Sequence, residues 1–172
     1  MKPALAIVVY VSAIVAANLL IAEYGPSVSI LNAFALIGLD LALRDYLHQV
    51  WSSNRLPKML ALIGAAGGIS YALNPATERI AIASLVAFTI AGLVDWLVYD
   101  RLKDHPWMIR SNGSNIAGAG ADSFLFPAIA FGFPLLIPIM LGQFAAKILG
   151  GFLWSTMIGY ACDAAARRHR AS

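Results

Sequence analysis

The chain has 172 residues, of which 60% are hydrophobic and 12% are charged, and its mean hydropathy is +0.74. Because a soluble domain carries about 25% charged residues, this composition excludes a globular protein with a water-facing surface. The formal net charge is only +3 and the basic residues form no stripe of the kind that binds nucleic acid, so we expect a lipid-bilayer protein with no nucleic-acid partner.

Hydropathy and helix-breaking residues divide the chain into six apolar segments. A bilayer crossing takes about 20 residues, so these crossings leave no room for a separate soluble domain. We therefore expect an all-α membrane protein, a single domain of six transmembrane helices. The predicted spans are Ala4–Ala22, Val28–Leu47, Met59–Leu73, Arg79–Leu102, Ser114–Phe131 and Pro138–Asp163.

The basic residues predict the orientation of these spans. Arg79 lies at an outer span end and Lys147 inside a span. The other Lys and Arg residues all fall at cytoplasmic ends if the amino terminus is inside. By the positive-inside rule, both termini are therefore predicted to be cytoplasmic. The cytoplasmic set is Lys2, Arg44, Arg55, Lys58, Arg101, Lys103, Arg110, Arg167, Arg168 and Arg170.

Ionisable side chains inside the predicted spans, or at their ends, are the strongest functional signal. A charge in hydrocarbon costs roughly 2.5 to 3.5 kcal/mol on the insertion scale, so such residues are expected to face partners or a polar substrate. The sequence thus predicts a polar site between helices, as in a small transporter. The residues are Asp40, Arg44, Arg79, Asp95, Asp122 and Lys147.

Helical spacing places a second polar or charged residue on the same face as several of these charges. Asn18 in the first span and Trp96 beside Asp95 are further candidates for the site, although Asn18 is equally suited to bonding a neighbouring helix. The same-face pairs are Asp40 with Arg44, Ser84 with Asp95, and Asn115 with Asp122.

Structural interpretations of these residues stay open. Asp40 and Arg44 are as consistent with a structural ion pair as with a functional role. Arg79 fits an outer anchor better than a ligand contact. For Asp95, Asp122 and Lys147 we favour substrate or proton handling, because a buried salt bridge costs desolvation that apolar packing would avoid.

The run of small residues that opens the fifth span also has two interpretations. Gly113 to Ala121 is rich in Gly and Ala, which lets helix backbones approach closely. This packing is favoured over a partly unwound segment that exposes its backbone to a substrate. The same small residues offer a contact for a homodimer.

These elements resemble the queuosine-precursor transporter family, also called the vitamin uptake transporter family. The most specific block is Arg79-Ile-Ala-Ile-Ala-Ser84-Leu-Val-Ala-Phe88 with Asp95 downstream, which is similar to the family's Arg-x-Ala-x-Ala-Ser-x-x-Ala-[Phe/Tyr] run. The resemblance covers most of the chain in order. One departure is Leu39, where the family usually has a hydroxyl. The remaining similar positions are Asn18, Asp40, Arg44, Ser114, Asp122, Ser123 and Lys147.

The resemblance implies import of a 7-deazaguanine, above all 7-cyano-7-deazaguanine, across a bacterial inner membrane, in a multi-pass protein of a bacterium or a phage. A carboxylate, Asp95 or Asp122, would accept the two donors of the guanine-like edge. Lys147 or an Asn side chain would donate to the ring carbonyl. Aromatic rings would cover the flat face, for about 1 to 3 kcal/mol per stacked base, and the candidates are Trp96, Trp154 and Phe124.

Three other classes compete with a self-sufficient transporter. The first is the substrate-binding subunit of a vitamin transporter that needs an energy-coupling partner. The second, an intramembrane enzyme, is disfavoured because no His lies within a predicted span for base or metal chemistry. The third is a scaffold whose buried charges pair only with one another. The single Cys162 excludes a multi-cysteine metal site, and we expect no metal or cofactor.

Overall fold

The computed structural model describes residues 2–51 and 53–171, without the side chains at 45, 48, 49, 107, 108, 110–112, 159 and 161–171. Cys162 and part of the cytoplasmic basic set (Arg110, Arg167, Arg168 and Arg170) therefore lie outside the described side chains.

Six long helices account for most of the described residues, and each coincides with one predicted span. The part of the chain that the structure describes contains no β-strand, which confirms the all-helical prediction. Helix α2 is composite, with a 3-10 turn Gly25–Val28, α-helical Ser29–Asn32, π-helical Ala33–Ile37 and α-helical Gly38–Val50. The others are α1 (Pro3–Tyr24), α3 (Arg55–Leu73), α4 (Glu78–Arg101), α5 (Trp107–Phe131) and α6 (Ile137–Ala171).

Glycines allow the chain to turn at two of the helix ends. Gly25, at φ 64°, follows α1, and Gly132, at φ 77°, follows α5. Both angles lie in the region that L side chains rarely adopt. A 3-10 turn at Pro75–Thr77 leads into α4, and the side chain of Asn74 accepts a hydrogen bond from the Ala76 N–H at its start.

Four stretches of the described chain are long and apolar enough to cross a membrane: Pro3–Arg44, Arg55–Leu73, Pro75–Arg101 and Ile137–Ile158. The first has 42 residues and turns back at Gly25, so it contains α1 and most of α2, which pack side by side. Helix α5 is absent from this set because many of its residues are small or polar. Its Ser114, Asp122 and Ser123 are nevertheless buried. The protein is a multi-pass membrane protein.

The helices form a closed ring in which each packs on two neighbours, in the order α1, α2, α6, α5, α4, α3 and back to α1. The α4–α5 hairpin packs along most of its length. At its centre, a Cβ built on Gly118 would lie 3.2 Å from the Ala91 carbonyl oxygen and 3.3 Å from the Asp95 Cβ. The small residues of α5 therefore serve helix packing, and α5 is helical throughout.

Two apolar clusters fill the bundle. The first joins Tyr10 and Ile14 of α1 to Leu43 of α2 and Met59 of α3, and the second joins α1, α4 and α5 around Ile80 and other residues. A polar cavity remains between them. The further members of the second cluster are Ile21, Ala83, Ala87, Phe126 and Ala130.

Candidate functional site

The central cavity lies where α1, α2, α4, α5 and α6 converge. Its walls are polar on several sides, and the rings of Phe88 and Phe126 add two aromatic surfaces. Small and aliphatic side chains of α1 and α2 complete the lining. The polar lining residues are Asn18, Ser29, Asn32, Ser84, Asp122, Gln143 and Lys147.

The central cavity is narrow. Its volume is about 30 Å³, enough for about two water molecules and well below the roughly 300 to 1,000 Å³ of ligand pockets. A flat bicyclic ring would enter it only after the walls move apart.

An ion pair forms one wall of the central cavity. The Lys147 Nζ lies 2.5 Å from Asp122 Oδ2, and both side chains are buried. Gln143 precedes Lys147 by one helical turn, and its Oε1 accepts a second hydrogen bond from Nζ at 3.4 Å. The Gln143 Nε2 in turn donates to Ser29 Oγ. These four residues, the Lys147 network, connect α2, α5 and α6 and fix the positions of both charges.

A second group of hydrogen bonds faces the ion pair across the central cavity. The Ser84 hydroxyl donates to Asn18 Oδ1 at 3.1 Å, and Asn18 Nδ2 donates to Ser70 Oγ at 3.2 Å. The Ser70 hydroxyl donates to the Ala66 carbonyl at 2.8 Å. This Asn18 network connects α1, α3 and α4, so Asn18 both bonds neighbouring helices and lines the cavity. The sequence had left those two roles as alternatives.

Asp40 lies behind the cavity wall and is fully buried, with 0% exposure. The Tyr10 hydroxyl interacts with the Asp40 carboxylate, although neither group makes a hydrogen bond of good geometry. Arg44, Asp122 and Lys147 all interact electrostatically with Asp40. The same-face relation of Asp40 and Arg44 is therefore present, and the Arg44 guanidinium interacts electrostatically with the Asp40 carboxylate.

A lateral groove opens on the other side of Lys147. It has a volume of about 340 Å³ between α2, α5 and α6, and its polar residues are Arg44, Asn115, Lys147 and Ser155. Apolar side chains, including the exposed Phe152, form the rest of its surface. Lys147 lines both the central cavity and the groove, which makes it a boundary between them.

Three further predicted site residues line neither the central cavity nor the lateral groove. The Arg79 Nε donates to the Ile129 carbonyl oxygen at 2.9 Å, so Arg79 satisfies a carbonyl of the last turn of α5, as basic side chains often do at helix ends. Asp95 packs against Gly118, and its Oδ1 has no hydrogen-bond partner. Trp96 is 64% exposed and points away from the bundle.

Several cavity residues were not among the predicted site residues. Asn32 is a polar side chain within the predicted second span, and its Nδ2 donates to the Ala17 carbonyl at 3.0 Å. Gln143 stands one turn before Lys147 on the same face of the last span, a polar stripe that the sequence shows. The aromatic rings at the cavity are Phe88 and Phe126, and no periodicity distinguishes them from lipid-facing Phe residues.

The described side chains contain no group of three His, Cys, Asp or Glu residues that could hold a metal ion. The central cavity offers one carboxylate, one ammonium group, amides and hydroxyls for hydrogen bonding.

Comparison with known proteins identifies relatives. Residues 4–162 match the sequence model of a family described as "Putative vitamin uptake transporter". A protein of Haemophilus influenzae described as "Probable queuosine precursor transporter" is 34% identical over 82 residues, which cover 47% of this chain and 34% of that relative. The match thus spans about a third of that relative's length. No solved structure matches the chain.

Proposed function

Because the chain belongs to the vitamin uptake transporter family, we propose that it carries a 7-deazaguanine precursor of queuosine, such as 7-cyano-7-deazaguanine, across the membrane. The observation that supports this proposal most directly is the central cavity, which combines a buried ion pair, amides and two Phe rings. Such a cavity suits a flat solute with several hydrogen-bonding groups along one edge.

The ion pair has the order of charges that a guanine-like edge requires. That edge presents a carbonyl acceptor, then a ring N–H, then an exocyclic amine. Lys147 would donate to the carbonyl, and Asp122 beside it would accept from both N–H groups. Adenine presents a different order of donors and acceptors, so it would leave buried charges unpaired, which is costly.

The other cavity residues would supply orientation and shape. Phe88 and Phe126 would cover the faces of the ring system, at about 1 to 3 kcal/mol per stacked base. Asn18 and Asn32 would bond groups on the far edge. Asp40, Arg44, Asn115 and Ser84 remain candidates for contacts along the path, and Arg79, Asp95 and Trp96 would act only in conformations that differ from this one.

Binding specificity tests this proposal. We expect 7-cyano-7-deazaguanine to raise the thermal unfolding temperature of the detergent-purified protein in a concentration-dependent way, since a ligand of the folded state stabilises it. Guanine should act more weakly, and adenine should have no effect. The shift should disappear in Asp122→Asn and persist in Asp100→Asn, whose parent residue is exposed near the end of α4. Equal shifts with adenine would contradict the proposed recognition.

Transport by the chain alone is the second half of the test. Proteoliposomes that contain only this protein should take up labelled 7-cyano-7-deazaguanine. Binding without uptake would instead favour the substrate-binding subunit of a transporter with an energy-coupling partner. Neither binding nor uptake would favour a scaffold. We propose no enzymatic activity, and a homodimer through α5 stays a prediction.

We also propose six membrane crossings with both termini in the cytoplasm of a bacterial inner membrane. Six long helices joined by short connections and the positions of the basic residues support this topology. A reporter that is active only in the cytoplasm is expected to be active when fused after Ser172 and inactive when fused within the turn at Gly25. The opposite pattern would show that the orientation is inverted.

A further inference from the structure

Asp40 is the buried charge that the proposed recognition scheme does not use. Its side chain is fully buried, and neither carboxylate oxygen makes a hydrogen bond of good geometry. The Tyr10 hydroxyl beside it is also buried and interacts with the carboxylate, and the Arg44 guanidinium acts on it electrostatically. Burial of an ionised carboxylate without well-formed hydrogen bonds is costly. Asp40 is therefore suited to carrying a proton in this conformation.

Asp40 also lies on the face of α2 that is turned toward Lys147. Ile37, three residues earlier, lines the central cavity together with Lys147. Arg44, four residues later, lines the lateral groove together with Lys147. Residues at such spacings share one helical face, so Asp40 sits between the two compartments at the level of the lysine.

The charged and titratable groups that face Asp40 come from four helices. They are Tyr10 of α1, Arg44 of α2, Asp122 of α5 and Lys147 of α6. Two of them, Asp122 and Lys147, already form the ion pair. The cluster thus contains two buried carboxyl groups, the buried ammonium group of Lys147 and the guanidinium group of Arg44.

We propose that Asp40 is a proton-binding site, and that Asp40 and Asp122 are alternative partners of the Lys147 ammonium group. While Lys147 pairs with Asp122, as in this structure, Asp40 is a neutral acid. When Lys147 moves to Asp40, the Asp40 O–H bond breaks and its proton passes to water in the lateral groove. Asp122 is then free to accept the two donors of a ligand. This last step rests on the proposed function, whereas the proton site does not.

Infrared spectroscopy of the purified protein tests the proton site without any ligand. The wild-type protein at neutral pH should show the C=O stretch of a protonated carboxylic acid, shifted in D₂O. The band should be lost in Asp40→Asn and kept in Asp95→Asn. Asp122→Asn removes the competing partner of Lys147, so Asp40 should ionise and the band should disappear there as well.

Two results would overturn the proposal. One is the absence of the acid band from the wild-type protein. The other is a band that persists in Asp122→Asn, because Asp40 would then be a neutral structural acid with no link to Lys147. Asp122→Ser provides the same comparison with a smaller side chain if Asp122→Asn does not fold.

A transport experiment tests the role of Asp40 independently. In proteoliposomes, Asp40→Asn should lose uptake of labelled 7-cyano-7-deazaguanine driven by a pH gradient, while exchange across the membrane at equal pH continues. Retention of gradient-driven accumulation in Asp40→Asn would refute a coupling role. Failure of the wild-type protein to move the compound would reject the proposed function, and the infrared comparison would still decide whether Asp40 binds a proton.

Discussion

Replacing Lys147 with methionine is expected to lower the free energy of unfolding by about 3 to 5 kcal/mol, the usual cost of removing one partner of a buried ion pair. The reason is that Asp122 hydrogen-bonds to Lys147 Nζ at 2.5 Å and is itself buried, so the substitution would leave its carboxyl group without this partner in the protein interior. Denaturant titration and the thermal unfolding temperature in detergent would measure the loss. Lys103→Met is the matched control, because Lys103 is exposed beyond α4.

The double variant Lys147→Met/Asp122→Leu separates stability from function. Apolar replacement of both partners often restores stability or exceeds it, because neither charge remains to be desolvated. We expect the double variant to unfold near the wild-type protein and to bind no 7-cyano-7-deazaguanine. If Lys147→Met were as stable as Lys103→Met, the ion pair would contribute nothing and the Lys147 network would not order the cavity.

The helices were predictable because membrane spans carry a strong local signal. The ends of α1, α3 and α4 lie within a few residues of the predicted bounds, since Gly25, Asn74 and the polar segment after Arg101 interrupt hydropathy and helix together. Helix α5 begins at Trp107, whereas the predicted span begins later, at Ser114. Its first turns are polar, and hydropathy reports burial in lipid rather than helix formation.

The site was predictable in its residue types more than in its contacts. Asn18, Ser84, Asp122 and Lys147 do line one cavity, because polar groups in spans avoid lipid by facing one another. Ser84 and Asp95 share a helical face, but eleven residues correspond to about 16 Å along the axis. A cavity this narrow includes only one of them. Periodicity gives the face of a helix, and depth must be added to decide which residues meet.

Residue spacing along the sequence did not predict which helices are neighbours in the bundle. The sequence singled out the small residues of α5, which pack against α4, but the contact between α2 and α6 also depends on small residues. Gly142, Ala146 and Gly150 follow one another at intervals of four along α6, a pattern that allows close helix approach in membranes. A Cβ built on Gly142 would lie 2.5 Å from the Ile30 Cδ1, a side-chain atom that has room to move.

Of the small residues in this contact, Gly150 leaves the least space for a larger side chain. A Cβ there would lie 2.1 Å from the carbonyl oxygen of Phe34 and 2.9 Å from its carbonyl carbon. From the opposite side, a Cβ on Gly38 would lie 2.7 Å from the Gly150 carbonyl carbon. These are backbone atoms, so a rotamer change relieves neither clash. A methyl group at Gly150 would have to push α6 away from α2.

Gly150→Ala is therefore expected to destabilise the protein by at least the upper part of the overpacking range, about 1 to 3 kcal/mol. Gly64→Ala in α3 is the matched control, because a Cβ there meets nothing within 4 Å. It should stabilise its helix by about 0.5 to 1 kcal/mol. Unfolding temperatures of the two variants measure the contrast, and similar values would show that α2 and α6 are not in backbone contact.

Ligand binding should respond to Gly150→Ala as well, although residue 150 does not line the central cavity. Lys147 and Gln143 lie one and two turns earlier on the same helix. Gln143 accepts a hydrogen bond from Lys147 and donates one to Ser29 of α2. A displaced α6 would lengthen these hydrogen bonds and move the ammonium group away from Asp122. Loss of 7-cyano-7-deazaguanine binding in Gly150→Ala, with binding kept in Gly64→Ala, would show that the α2–α6 contact sets the geometry of the ion pair.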